Sequence, residues 1–361
     1  MSQPDPALGV ILHAIGGLAS ASFYLPFRSV KGWAWESYWL VGGVFSWLVA
    51  PWVFALIQTP ELYQVLAESP PSALFWTYLF GVLWGVGGLT FGLTMRYLGI
   101  ALGMAMALGY CAAFGTLMPP LFRGDLEGVV RTTAGAIVLF GVFVCLAGIV
   151  VSGLAGRSKE RELSDEQKQS IIHEFNFGKG VLVATAAGIL SACMSYGFAA
   201  GKPIADLAVK HGAHPLWQNQ PVLVVVLAGG LTTNLIWCVF LNLRNATTGD
   251  YRGLSRRDGS LSSATLRNNY LLCAVAGTVW YLQFLFYGMG NTLMGKFEFS
   301  SWTLHMASIM IFGTVWGLLL NEWKGSSART HLLNVAGLLI LVSSTVIVGY
   351  GNYLTAVGSG Q

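Results

Sequence analysis

The run VWYLQFLFYGMGN, residues 279–291, lies deep inside an apolar stretch, yet it carries Trp280, Gln283, Tyr287 and Asn291. These recur at i, i+3, i+7 and i+11, which on a helix is one face. A helix surrounded by lipid gains nothing from a glutamine near its middle, because an unpaired amide in hydrocarbon costs several kcal/mol. A helix lining a polar cavity does use one. The spacing therefore predicts a membrane helix whose polar face looks into a solute pathway walled by the rest of the chain.

Composition agrees with that reading. The chain has 361 residues, 54% of them hydrophobic and only 10% charged, with a mean hydropathy of +0.61. A soluble domain carries roughly 25% charged residues. About ten runs of roughly 20 apolar residues are each long enough to cross a hydrocarbon core of about 30 Å. They fall near 8–27, 38–57, 73–95, 98–122, 132–153, 179–200, 221–243, 270–292, 301–320 and 331–353. The cysteines Cys111, Cys145, Cys193, Cys238 and Cys273 all lie inside these runs. Odd in number and without a CxxC pair, they read as small buried side chains rather than a disulfide frame or a metal site. The net charge of +4 is small and scattered, so no nucleic-acid partner is expected.

The N-terminus resembles a signal peptide only in Ala19-Ser20-Ala21. It has no Lys or Arg before Arg28, so an uncleaved first span is expected. Of the 20 Lys and Arg, Arg123, Arg131, Lys202, Lys210 and Lys296 follow even-numbered spans. The other fifteen follow odd-numbered ones. The positive-inside rule then places the odd loops in the cytoplasm and both termini outside.

The longest polar stretch, Arg157 to Lys179, falls near the middle. Ser164 and Gln167 there have the spacing of a capping box for a short surface helix, and disorder fits the stretch equally well. It divides the chain into residues 1–153, a cytoplasmic connector at 154–178, and residues 179–361. The two halves echo one another in order. Gly17 with Ser20-Ala21 returns as Gly188 with Ser191-Ala192. Gly42-Gly43 returns as Gly229-Gly230. Gly81 and Trp84 return as Gly277 and Trp280, Phe91-Gly92 as Tyr287-Gly288, and Phe114-Gly115-Thr116 as Phe312-Gly313-Thr314. Five spans per half make the second copy run upside down. The expected fold is thus all-α: ten transmembrane helices as two inverted five-helix repeats, with substrate at the midplane between them. Close helix packing alone would also select recurring glycines, but it does not ask for Trp84 and Trp280 at matching places.

Few ionisable groups lie inside the spans. His13 is in the first and His305 in the ninth, one turn from Trp302; Glu36, Glu298 and Glu322 sit at or near span ends. Intramembrane ionisable groups mark functional sites by default, and histidine changes charge near neutral pH. His305, His13 and Glu298 are therefore the candidate proton carriers. The competing readings are a neutral histidine bonded to a neighbouring helix or to the substrate and, for Glu298, a solvated loop charge. Trp280, Gln283, Tyr287, Asn234, Tyr24, Trp84 and Trp302 are candidates for a sugar site. A pyranose offers a flat C–H face to an aromatic ring and a rim of hydroxyls to amides. Lipid-facing or core packing for the tryptophans and interhelical bonding for the amides remain open. Nucleophile, zinc and P-loop motifs are absent, so neither an enzyme, nor a cofactor or metal, nor an ATP-driven pump is expected.

Longer motifs carry a family resemblance: Phe23-Tyr24-x-Pro26-Phe27, Trp33-x-Trp35-Glu36, Thr94-Met-Arg96-Tyr97, Gly115-Thr116-Leu-Met118-x-Pro120, Lys202-Pro203, Trp280-Tyr281-Leu-Gln283-Phe284, Ser301-Trp302-x-Leu-His305-Met306 and Glu322-Trp323. The chain resembles the L-rhamnose–proton symporter family, a branch of the drug/metabolite transporter superfamily, over nearly all ten spans. That resemblance implies a ten-helix inverted-repeat fold and proton-driven sugar uptake across a bacterial cytoplasmic membrane. By the same analogy, spans 1–4 and 6–9 line the cavity. The sequence departs from the family pattern at Gly88-Leu-Thr90-Phe91-Gly92, where an amide and a phenol are expected. A related sugar, or an exchanger or exporter of another metabolite, is the alternative.

Overall fold

The structure is a computed structural model. It describes residues 5–98, 100–124, 126–162, 177–255, 259–320 and 323–358. Arg96 and Glu322, named above, lie outside the described side chains, as do Ser164 and Gln167. Among the described residues the fold is almost entirely helical. Its only sheet is a two-residue antiparallel ribbon in which Leu254 pairs with Ser260.

In chain order the helices are α1 (Pro6–Ser22), α2 (Tyr24–Phe27), α3 (Trp35–Val44), α4 (Ala50–Gln58), α5 (Leu62–Glu68), α6 (Pro71–Leu98), α7 (Ile100–Arg123), α8 (Leu126–Val130), α9 (Thr133–Glu162), α10 (Phe177–Ala200), α11 (Lys202–Lys210), α12 (Gln220–Asn245), α13 (Ser263–Leu293), α14 (Ser301–Leu319) and α15 (Ala328–Gly358). Among the described residues nine spans are long and apolar enough to cross a bilayer, and a shorter apolar segment, Met106–Leu121, lies within α7. That pattern fits a helical membrane protein. α9 runs on to Glu162, nine residues into the stretch expected to be connector.

The second span is one continuous rod in sequence but not in backbone. Between α3 and α4, residues Phe45–Val49 form a π-turn, closed by Ala50 N–H donating to Phe45 O. Pro51 has no N–H to give to the carbonyl of Trp47, so the ladder widens by one residue there. The Trp47 side chain, 1% exposed, folds back over Gly43, where a Cβ would lie 2.2 Å from its ring.

Packing places α13 against α1, α3 and the π-turn, and α6 against α10 and α12; α1 also packs on α14, α10 on α7, and α9 on α15. Close approach rests on glycine. A Cβ at Gly277 would lie 2.0 Å from Gly42 O, and one at Gly81 would lie 1.9 Å from Val226 O. Backbones this close leave no room for a side chain.

Candidate functional site

A cavity of about 410 Å3 opens at one end of the bundle. Its walls come from the ends of α7, α10 and α13, the start of α11, the turn before α12, and the 3-10 turn Gly295–Ser300 before α14. Tyr287 and Asn291 of α13 line it, so the outer half of the 280–291 face does look into a cavity. Opposite stand Gly115, Ser195, Phe198, Gln218 and Asn219, with Lys202 and Glu298 also in the lining.

The amides are anchored through nitrogen. Asn219 Nδ2 donates to Gly288 O at 3.0 Å, and Gln218 Nε2 donates to Thr292 Oγ1 at 3.1 Å. Among the described residues nothing donates to Asn219 Oδ1 or Gln218 Oε1, and the Tyr287 hydroxyl has no hydrogen-bond partner. These acceptors suit a ligand rich in hydroxyl donors. The Tyr287 ring meets Phe198 edge-on at 4.9 Å and Trp302 at 5.4 Å, giving the cavity an aromatic wall.

Beneath that wall lie the two histidines. His13 comes from α1 and His305 from α14; both are fully buried, and their ring centroids lie 5.5 and 5.3 Å from that of Tyr287. Neither ring has a hydrogen-bond partner on either nitrogen among the described residues. The large majority of buried polar side chains are paired, so two unpaired imidazoles behind one cavity residue are unusual. Small residues make room for them. A Cβ at Gly290 would lie 2.9 Å from His13 Nε2, and one at Gly16 would lie 3.4 Å from His305 Cε1.

The other expected residues sit deeper or elsewhere. Trp280 stands in an aromatic cluster, stacked on Phe23 at 4.7 Å and 13°, with Trp39 at 5.0 Å, Trp47 at 5.1 Å and Trp84 at 6.2 Å. Gln283 is 4% exposed, and its Nε2 has no partner among the described residues. Asn234 accepts from Trp39 Nε1 at 3.1 Å and donates to Gly230 O, which makes it a link between helices here. Trp302 donates to Cys111 O at 3.0 Å and presses on Gly115. Tyr24 pairs with the Tyr38 hydroxyl at 3.2 Å at the opposite end of the bundle. Tyr287, Glu298, His13, His305 and Trp302 therefore come together at the cavity. Trp280, Trp84, Gln283 and Asn234 lie toward the middle, and Tyr24 is remote.

That opposite end is shut by polar contacts between segments far apart in sequence. Asp250, 1% exposed, accepts from Ala34 N–H at 2.8 Å and Ser37 Oγ at 2.7 Å. Buried Glu36 accepts from Asn245 Nδ2 at 3.0 Å and Thr247 Oγ1 at 2.8 Å. Asn269 binds the backbone of Lys31 twice, accepting from its N–H at 3.1 Å and donating to its C=O at 2.7 Å. The segment 31–37 is thereby tied to residues 242–269. Arg28, Lys31, Arg244, Arg252 and Arg267 belong to the segments at this end.

A chain with a solute-sized cavity open at one end, shut by a polar seam at the other and crossed by apolar helices has the form of a membrane transporter. The comparisons agree. The family model described as L-rhamnose-proton symport protein matches residues 4–353. The chain belongs to the L-rhamnose-proton symporter family. An L-rhamnose-proton symporter of Salmonella gallinarum is 38% identical over 346 residues, 95% of this chain and 97% of the relative. One from Cronobacter sakazakii matches equally well, and one from Salmonella paratyphi B is 37% identical. Members of this family are transporters rather than enzymes. Bacterial relatives and the many apolar helices place the chain as a multi-pass inner-membrane protein.

Gln218, Asn219 and Ser195 also line the cavity and are not among the residues the sequence points to. Gln218 and Asn219 precede the apolar run 221–243 read from the sequence, and no periodicity marks them. The only local signal is the polar run Gln218-Asn219-Gln220 directly before Pro221.

Proposed function

We propose that the chain carries L-rhamnose, or a related 6-deoxyhexose or hexose, into the cytoplasm together with a proton by alternating access. The carrying observation is Tyr287: it lines the cavity, and its ring also packs against the buried His13 and His305. A group that senses both sugar and proton must be coupled to each, and coupling needs both ligands to bias one two-state element. Tyr287 is placed to do that. In this reading Asn219, Gln218, Asn291 and Tyr287 bond sugar hydroxyls, and Phe198 and Tyr287 present aromatic surface. Trp280, Gln283, Asn234 and Trp84 meet the sugar only when the bundle rearranges. His305 carries the proton, with His13 and Glu298 as its neighbours on the route. The volume lies within the roughly 300–1,000 Å3 usual for small-molecule sites.

The repeat reading draws support from the contact pattern. Exchanging the halves maps the α1–α13 contact onto α10–α6, α1–α14 onto α10–α7, and α13–α3 onto α6–α12, while α9–α15 maps onto itself. Matched glycines keep matched company. A Cβ at Gly17 would lie 2.3 Å from Ser308 Cβ, and one at Gly188 would lie 2.4 Å from Tyr110 Cβ. An inverted five-plus-five bundle of the drug/metabolite kind would produce these pairs. With the basic loops inside, both termini lie outside and the cavity faces outward. The 31–37 to 242–269 seam is then the closed cytoplasmic gate. Moving one positive charge inward down a potential of about 100 mV supplies about 2.3 kcal/mol.

The test is proton movement in proteoliposomes. Adding L-rhamnose outside is expected to make the outer medium more alkaline. No proton movement with L-rhamnose or any hexose tried would overturn the symport reading. His305→Ala is expected to lose proton-driven accumulation while keeping sugar exchange; full accumulation would remove His305 from the role.

A further inference from the structure

A second cavity, of about 370 Å3, lies between α7 and α9. It is lined by Met106, Gly109, Tyr110 and Ala113 on one helix and by Leu146, Val150, Gly153 and Leu154 on the other, with Arg157 at one end. Unlike the first cavity it opens sideways. Val150 and Leu154 are 59% and 45% exposed, on a helix whose mean composition makes it a bilayer span. Behind it the wall is closed by Ile149 and Ala107, both fully buried. Glycine makes the groove. A Cβ at Gly109 would meet only Ile149 Cγ2, at 3.8 Å.

The dimensions match one leaflet. From Leu146 to Arg157 is eleven residues, which at 1.5 Å each is about 16 Å. Half of a hydrocarbon core of about 30 Å is about 15 Å. Arg157 also sits at interface depth. Two residues on, the Lys159 ammonium lies 4.9 Å from the Trp323 ring centroid, and tryptophan and lysine at a span end mark the membrane–water boundary. Among the described residues no carboxylate pairs with Arg157.

We propose that this groove is a binding site for an anionic phospholipid, with one acyl chain lying along Gly109 and Gly153 and the phosphate bonded by Arg157. A guanidinium takes phosphate oxygens in bidentate fashion. The acyl chain explains the apolar lining, and the lateral opening is the route by which a lipid enters. The cavity where sugar is proposed to bind shares none of these residues, so this site stands independently of the transport reading.

The test is native mass spectrometry of the full chain with equal amounts of palmitoyl-oleoyl phosphatidylglycerol and phosphatidylcholine. The wild type is expected to keep a single lipid adduct, predominantly phosphatidylglycerol. Arg157→Gln is expected to lower the preference for phosphatidylglycerol about fivefold, the equivalent of about 1 kcal/mol per basic residue at an anionic surface. Gly109→Leu, which fills the groove, is expected to lose both lipids while its unfolding temperature shows it folded. If Gly109→Leu does not fold, Arg157→Gln decides alone. An unchanged preference in Arg157→Gln, an adduct retained by folded Gly109→Leu, or a dimer of the chain carrying no lipid would each overturn the proposal.

Discussion

Asp250→Ala is the sharpest probe of the closed end. The wild-type carboxylate is 1% exposed and accepts two bonds, from Ala34 N–H and Ser37 Oγ. Hydrogen bonds to a charged group contribute about 1.5–3 kcal/mol each. Removing the acceptor leaves the part-buried Ala34 N–H unpaired, while the Ser37 hydroxyl keeps Asn242 Oδ1 at 3.2 Å, so the closed seam loses at least about 1.5–3 kcal/mol. If the seam is the cytoplasmic gate, opening it exposes the Ala34 N–H to water, and the cost falls mainly on the closed state. At about 1.4 kcal/mol per tenfold, the population open at that end rises at least about tenfold while it remains the minor one. The readout is a cysteine introduced at Gln283, buried on the α13 face, and labelled by an impermeant maleimide in inside-out vesicles. Background labelling comes from the same vesicles without that cysteine, since Cys111, Cys145, Cys193, Cys238 and Cys273 are all buried. The labelling rate is expected to rise at least about tenfold in Asp250→Ala and by less in Asp250→Asn, which keeps a neutral acceptor. A rate unchanged within about twofold, in a protein that still folds, would refute the gate.

Three further outcomes follow from the geometry. Tyr287→Phe removes one ligand-facing hydroxyl and leaves the ring, so sugar affinity is expected to fall up to about tenfold, for a bond of about 0.5–1.5 kcal/mol, measured by titration calorimetry. Gly277→Ala would drive a Cβ to 2.0 Å from Gly42 O, so the protein is expected to lose its folded yield in detergent chromatography, whereas Gly88→Ala, which meets nothing within 4 Å, is expected to keep it. His211, outside the spans, holds Glu61 Oε2 at 2.7 Å through Nδ1 and Glu68 Oε2 at 3.1 Å through Nε2. Bonds to Glu61 and then Glu68 raise its pKa above the ordinary 6.5. The charged form is thus favoured by folding: the clamp between α5 and α11 is complete below pH 6.5 and is lost as pH rises through the raised value. The unfolding temperature of His211→Ala is expected to differ from wild type more at pH 6 than at pH 9, and an equal difference at both would refute the clamp.

Much of the architecture is legible in residue order. Lack of charge and the length of the apolar runs decide a membrane protein, because hydrocarbon forbids unpaired backbone and so permits few solutions. Recurring Gly42, Gly81, Gly229-Gly230 and Gly277 mark where helices touch, since only a missing Cβ allows such approach. The polar face at Trp280, Gln283, Tyr287 and Asn291 was visible because helical periodicity is a local property, set by about 100° per residue. What that face meets is not local. Tyr287 and Asn291 reach the cavity, while Trp280, seven residues and about 10 Å deeper than Tyr287, is stacked on Phe23. Gln218 and Asn219 enter the site because the turn Pro215–Trp217 brings them over α13, and Asp250 closes on Ala34 and Ser37 from more than 200 positions away. Spacing along one helix determines which side chains share a side. Which neighbour occupies that side depends on how all the helices pack, and only the tertiary structure decides it.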